Sequence, residues 1–141
     1  MPEATAPAAS DTPVFAHLHL HSEYSLLDGA NRIERLLKRV KELGMNAVAV
    51  TDHGNMFGTM EFYLKARDIG VKPILGIEGY VAVDREGKIG DRRDKTHTGE
   101  KDGGWHLVLL AENIQGYRNL LKLSSDAFLN GFYYKPRMDK S

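Results

Sequence analysis

His19 and His21 form a His-x-His pair inside an alternating stretch, Val14-Phe-Ala-His-Leu-His-Leu-His21. In an extended chain, residues two apart emerge on one side with Cα atoms roughly 6.5–7 Å apart. Two imidazoles at that spacing can hold one metal ion or flank two neighbouring ions. Asp52-His53 follows a short apolar run, Asn46-Ala-Val-Ala-Val-Thr51. Glu78 follows the run that begins at Pro73, His106 opens another, and Asp28 lies in the polar stretch just after the first. Imidazoles and carboxylates from separate segments are thus expected near strand ends, where parallel α/β proteins build their sites. A mixed His/Asp/Glu set suits zinc, manganese or iron. Several such ligands, with carboxylates able to bridge, suggest two or three metals about 3.5–4 Å apart. Such a centre makes hydroxide at neutral pH and clamps phosphate oxygens, so the implied reaction is hydrolysis of a phosphate ester.

Each residue also has an ordinary structural reading. His17 is expected to be packed, or to support the ligands from behind. The His19/His21 pair taken alone leaves both readings open. Asp52 can cap the turn that follows it or orient a ligand, Glu78 can be an exposed acid at a strand end, and His106 alone favours packing. His97 sits in a polar stretch and is given no role. Tyr133-Tyr134 with Lys135 and Arg137 could meet nucleic acid, but a packed aromatic hairpin or loop is the preferred reading.

The elements that must position these side chains follow from periodicity. Residues 14–21 read as a strand, with Ala16, Leu18 and Leu20 on one face and Phe15, His17, His19 and His21 on the other. A helix is expected over Asn31 to Leu43, capped by Asn31 with Glu34 in the capping box and stopped at Gly44. Ile33, Leu36, Leu37, Val40 and Leu43 form its apolar stripe. The run at 46–51 suits a strand buried on both faces. A second helix covers about Thr59 to Ile69, a third strand Pro73 to Val83, and a fourth His106 to Ala111. A last helix runs from about Asn113 or Ile114 to Leu123, with a possible second turn or helix through Leu129. Residues 84–104 lack an apolar period and read as a solvated loop or weak hairpin. The alternation predicts an α/β fold with a largely parallel sheet and helices outside it. No internal repeat stands out. Three or four parallel strands leave unpaired edges, so the chain reads as a piece of a larger barrel or sheet, expected to fold poorly alone.

Composition narrows the function classes. Of 141 residues, 42% are apolar and 27% charged, with Lys+Arg and Asp+Glu equal at 19 each. That balance argues against wrapping nucleic acid by bulk charge, so any such contact is local or runs through metals. The absence of Cys excludes disulfides, thiolate zinc sites and a cysteine nucleophile. No apolar stretch is long enough to span a membrane. The first thirteen residues, rich in Ala, Pro, Ser and Thr, lack the pattern of a secretory signal and read as a disordered tail. A cytoplasmic location is expected.

His19-Leu-His-Ser-Glu-Tyr-Ser-Leu-Leu-Asp-Gly29 resembles the first motif of PHP domains, the polymerase and histidinol phosphatase family. More narrowly, it is similar to the N-terminal region of bacterial replicative DNA polymerases. Thr51-Asp-His-Gly-Asn-Met-Phe-Gly58, Lys72-Pro-Ile-Leu-Gly-Ile-Glu-Gly-Tyr80, His106-Leu-Val-Leu-Leu-Ala111, Gly116-Tyr-Arg-Asn-Leu120 and Gly131-Phe-Tyr-Tyr-Lys-Pro-Arg137 fit the same family. The resemblance implies the first half of a distorted (β/α)7 PHP barrel over residues 14–141, with a metal cluster at its mouth. It implies His19, His21, Asp28, His53, Glu78 and His106 as ligands, Glu78 bridging two metals. For the parent protein it implies DNA polymerisation with magnesium, on primer-template and deoxynucleoside triphosphates, with replicase subunits such as the sliding clamp. It also makes 3′–5′ exonuclease proofreading an expectation. The rival readings are a structural module without nuclease activity and a stand-alone histidinol-phosphatase-like enzyme.

Overall fold

A computed structural model describes residues 15–26, 28–85 and 104–140. The tail expected over residues 1–13 and most of the polar excursion, His97 included, lie outside the described residues. Helix α1 (Ile33–Glu42) leads to strand β1 (Ala47–Val50), then to α2 (Thr59–Asp68) and the long strand β2 (Lys72–Val81). After the excursion come β3 (Trp105–Leu110), α3 (Ile114–Leu129) and a short hairpin, β4 (Phe132–Tyr133) with β5 (Lys135–Met138).

β2 organises the sheet. One of its edges pairs in parallel with β1 through Ala47↔Lys72 to Val50↔Leu75. The same edge continues through an isolated bridge, His53↔Glu78, and then meets β5 in parallel at Tyr80↔Arg137 and Val81↔Met138. The opposite edge pairs with β3, antiparallel, from Gly76↔Leu110 to Val81↔Trp105. The sheet is therefore mixed and open, and the largely parallel sheet expected from the alternation is corrected: β3 runs antiparallel to β2, and β4 antiparallel to β5.

The helices cover the sheet with two apolar cores. Ile33, Leu36, Leu37 and Val40 of α1 pack with Phe62 and Ala66 of α2 and with Val48 and Val50 of β1. All four β1 residues are buried, as a continuous apolar run between two layers requires. A second core joins Leu120 and Ala127 of α3 to Ile77 and Met138. α3 is one uninterrupted helix of 16 residues, with Asn113 as its N-cap accepting from the Gly116 amide.

Two local expectations fail for identifiable reasons. Residues 15–21 run beside β1 but form no regular strand. Ala49 N donates to His17 O and Thr51 N to Leu20 O, so three residues of one segment span two of the other. The extra residue breaks the ladder in the manner of a bulge and leaves Leu18 half exposed. Asn31 does not cap α1; the cap position is Arg32, without a side-chain bond. The Asn31 amide instead donates to His21 O at 2.9 Å, holding the first segment.

Candidate metal centre

The geometry begins at Glu78. It sits on β2 where one edge passes from β1 to β5, and its side chain is almost fully buried. The backbone fixes His53 beside it: Glu78 N donates to Asp52 O at 3.0 Å and Gly54 N to Glu78 O at 2.8 Å. Gly54 adopts φ +62, and a Cβ there would lie 2.8 Å from both Pro136 and the Tyr80 ring. Glycine makes that tight turn possible.

A side-chain network ties the first segment to the end of β1. The buried Asp52 carboxylate accepts from Ser22 N and Ser22 Oγ, both at 2.7 Å, and from Ser25 Oγ at 2.6 Å. His53 N donates to Ser25 Oγ at 3.0 Å. The Thr51 hydroxyl accepts from Leu20 N at 3.0 Å. Asn55 donates to Tyr24 O at 3.1 Å and to His53 O at 3.0 Å. The turn then closes over Gly29, where a Cβ would stand 1.7 Å from Ser22 O. Asp52 thus positions the loop between His21 and Asp28 through two serines, and none of its hydrogen bonds goes to an imidazole.

These constraints bring the six candidate ligands together. His19 Nε2 and His21 Nε2 each lie 2.6 Å from Glu78 Oε2 and 3.1 Å from one another. His106 Nδ1 lies 2.5 Å from the other oxygen, Oε1. Asp28 Oδ2 lies 2.5 Å from His53 Nε2 and 3.6 Å from His21 Nδ1. Three overlapping groups result: His19–His21–Glu78, His21–Asp28–His53 and His53–Glu78–His106. A cavity of about 410 Å³, lined by His19, His21, Asp28 and the 29–31 turn, opens beside them. His17 joins none of the groups; its ring meets Phe15 edge-on at 4.8 Å.

The donor set fits divalent cations on two grounds. An imidazole nitrogen carries either a proton or a lone pair, never both. The three mutual contacts of His19 Nε2, His21 Nε2 and Glu78 Oε2 therefore cannot all be hydrogen bonds. A cation among them satisfies all three atoms at once. Secondly, His53 Nδ1 is buried without a hydrogen-bond partner and stands 3.6 Å from Glu78 Oε2. A buried polar atom left so costs roughly 1–3 kcal/mol, which a ligated ion would relieve. Burial pushes the Glu78 carboxyl up, but hydrogen bonds from His19, His106 and His21, with the charge of His53, outweigh it and hold it at about 2. The carboxylate is ionised at neutral pH, as a ligand must be. Nitrogen and oxygen donors without sulfur suit zinc, manganese or iron.

Sequence reasoning missed Ser22, Ser25, Thr51 and Asn55, whose only signal is a polar stretch after an apolar one. It also missed Tyr80, which stacks on His53 with centroids 6.0 Å apart and meets His106 edge-on at 5.0 Å.

The PHP domain family matches residues 17–141, and the chain belongs to that family. Its curated relatives carry a more particular name, DNA polymerase III subunit alpha. The Helicobacter pylori protein is 52% identical over 130 residues, covering 92% of this chain and 10% of that protein. The Thermus aquaticus protein is 52% identical over 129 residues, covering 89% and 10%. The chain thus spans about a tenth of the length of the curated relatives it matches. Among solved structures, an amidohydrolase from Chromobacterium violaceum aligns with TM-score 0.49 and 24% identity over 79% of this chain and 34% of that one.

Proposed function

We propose that this chain is the PHP segment at the N-terminus of a bacterial replicative DNA polymerase, and that it hydrolyses phosphodiester bonds at a 3′ end. The observation that carries the reading is the Glu78 carboxylate, with His19 and His21 on one oxygen and His106 on the other. A carboxylate so placed can bridge two cations. Bound divalent metals would supply a hydroxide nucleophile and neutralise charge on the phosphoryl oxygens.

The chain's own residues do the rest. His19, His21, Asp28, His53, Glu78 and His106 would hold the ions. Asp52, through Ser22 and Ser25, keeps the loop between His21 and Asp28 in register with β1. Buried and ionised, Glu78 would balance the charge of the bound cations. The open cavity beside His19, His21 and Asp28 offers a way in for a flexible single-stranded end.

The parent activity is DNA polymerisation with magnesium on primer-template and deoxynucleoside triphosphates, alongside replicase subunits such as the sliding clamp. The identity to DNA polymerase III subunit alpha supports this. A cytoplasmic setting goes with it, and no described helix is long and apolar enough to cross a membrane. The test is primer 3′-end trimming by the full-length protein loaded with manganese or zinc. Trimming is expected to vanish in His19→Ala/His21→Ala while polymerisation persists. Trimming unchanged in that variant rejects the site. Stability lost on chelation, with no trimming by the loaded wild type, favours a structural module instead.

A further inference from the structure

The β4–β5 hairpin approaches the metal centre from the side. Pro136 packs against Gly54, the residue after His53. The neighbouring Lys135 is exposed and holds its Nζ 5.3 Å from the centre of the Tyr80 ring. Tyr80 is buried and lies against two of the imidazoles, His53 and His106. One aromatic ring therefore links this ammonium to the ligand cluster.

Several other cations of the described chain are neutralised. Lys65 bridges Glu34 and Glu61 at 2.7 and 2.8 Å, Arg39 pairs with Glu42, and Arg85 with Asp126. Lys135 has no carboxylate partner among the described residues, and the Tyr80 hydroxyl makes no hydrogen bond among them either. The nearby carboxylates of the centre, Glu78 and Asp28, are both occupied by imidazoles. A ring contact alone stabilises an exposed ammonium by only about 0.5–1 kcal/mol. What the arrangement provides is a compact positive charge with three rotatable donors, held over a ring that itself meets two of the candidate ligands and left free to meet an anion.

We propose that Lys135, carried over Tyr80 by the β4–β5 hairpin, holds a phosphate group of the substrate against the metal centre. The proposal rests on the phosphoesterase reading for the nature of the substrate. Tyr80 holds the ammonium over its ring face, and its hydroxyl would be a second donor for the same phosphate oxygens. The group recognised is the phosphate itself, so a nucleotide end and inorganic phosphate are both ligands.

The experiment is calorimetric titration of the full-length, manganese-loaded protein with inorganic phosphate, comparing wild type, Lys135→Gln and Lys135→Arg. Manganese content and melting temperature are measured for each. The expected result is phosphate affinity reduced about tenfold or more in Lys135→Gln, the loss of one charge-assisted hydrogen bond. Metal content should stay the same, and Lys135→Arg should recover most of the affinity. In primer trimming, Lys135→Gln should raise KM about as much and change kcat less. Equal phosphate affinity in Lys135→Gln and wild type overturns the proposal. So does failure of the wild type to bind phosphate, or a loss that only tracks lost metal. Lys135-dependent phosphate binding without any trimming overturns the phosphoesterase reading and leaves the anion site standing. Trimming with no dependence on Lys135 overturns the anion site alone.

Discussion

Glu78 is where burial and charge conflict most sharply. A carboxylate this deep would ordinarily be raised toward neutrality. Imidazoles on both of its oxygens reverse that, and it is held at about 2 against an ordinary 4.5. A depressed carboxyl contributes stability above its unfolded pKa and loses it as pH falls through the folded one. In metal-free protein, the urea midpoint of the wild type should therefore fall from pH 4.5 toward pH 2 more steeply than that of Glu78→Gln. Parallel curves would show that the imidazoles do not hold the carboxylate. The same substitution keeps the shape and removes the charge that balances bound cations. It should lower manganese affinity at least about tenfold with the fold retained, measured by titration against a competing chelator. His19, His21, His53, Glu78 and His106 are legible in sequence because each is polar beside an apolar run. Their gathering near strand ends is expected from the sequence too; which of them meet on Glu78 is not legible, since it depends on which edge of β2 each segment meets.

At the scale of elements, the segment carrying His19 and His21 is held by side chains where a regular strand would use backbone pairing. Asp52 replaces part of the missing ladder by accepting three hydrogen bonds from Ser22 and Ser25. Asp52→Asn converts an acceptor into a mixed group and removes the charge. It should destabilise the protein by about 2–3 kcal/mol and weaken metal binding, although Asp52 touches no ligand ring. Thermal unfolding and metal titration check both, and intact metal affinity would deny the loop its positioning role. Gly29→Ala should be worse, because its Cβ would meet the Ser22 carbonyl. The alternation of residues 14–21 is misleading here for a physical reason. Period two reports which residues want burial, whereas the one-residue offset between His17 and Leu20 against Ala49 and Thr51 is a matter of pairing, which the pattern does not encode. Helix α1 is legible because its apolar stripe and the glycine that stops it are local features. The antiparallel sense of β3 is not, because the long excursion before it permits either direction.

Over the whole molecule, β2 carries neighbours on both edges, while β3 pairs with no strand other than β2 among the described residues. Trp105 and Leu107 of β3 are each 48% exposed, and Leu129 at the end of α3 is 81% exposed. Phe57, Phe128 and Phe132 lie in a row, with centroids 5.6 and 6.0 Å apart, on a surface shared by the turn before α2, by α3 and by β4. An open sheet with this much apolar surface calls for covering. The 141 residues alone should bind a hydrophobic dye strongly and melt with low cooperativity. A sharp melt with little dye binding would contradict that. The α/β class is legible from the alternation of apolar runs and amphipathic stripes, and family membership from the motifs around His19, Asp52 and Lys72. A hairpin or loop at Tyr133-Tyr134 is legible as well, but its placing of Lys135 over Tyr80 is not, because two short strands leave almost no periodicity to read.

The central claim is that side chains from four segments of the chain share divalent cations through Glu78. Elemental analysis of the purified full-length protein, reconstituted with manganese or zinc and freed of excess metal, tests it directly. At least two equivalents are predicted for the wild type, with a clear loss in His19→Ala/His21→Ala and a larger one in Glu78→Gln. Retention of the full metal content by Glu78→Gln, or none in the wild type, would contradict it.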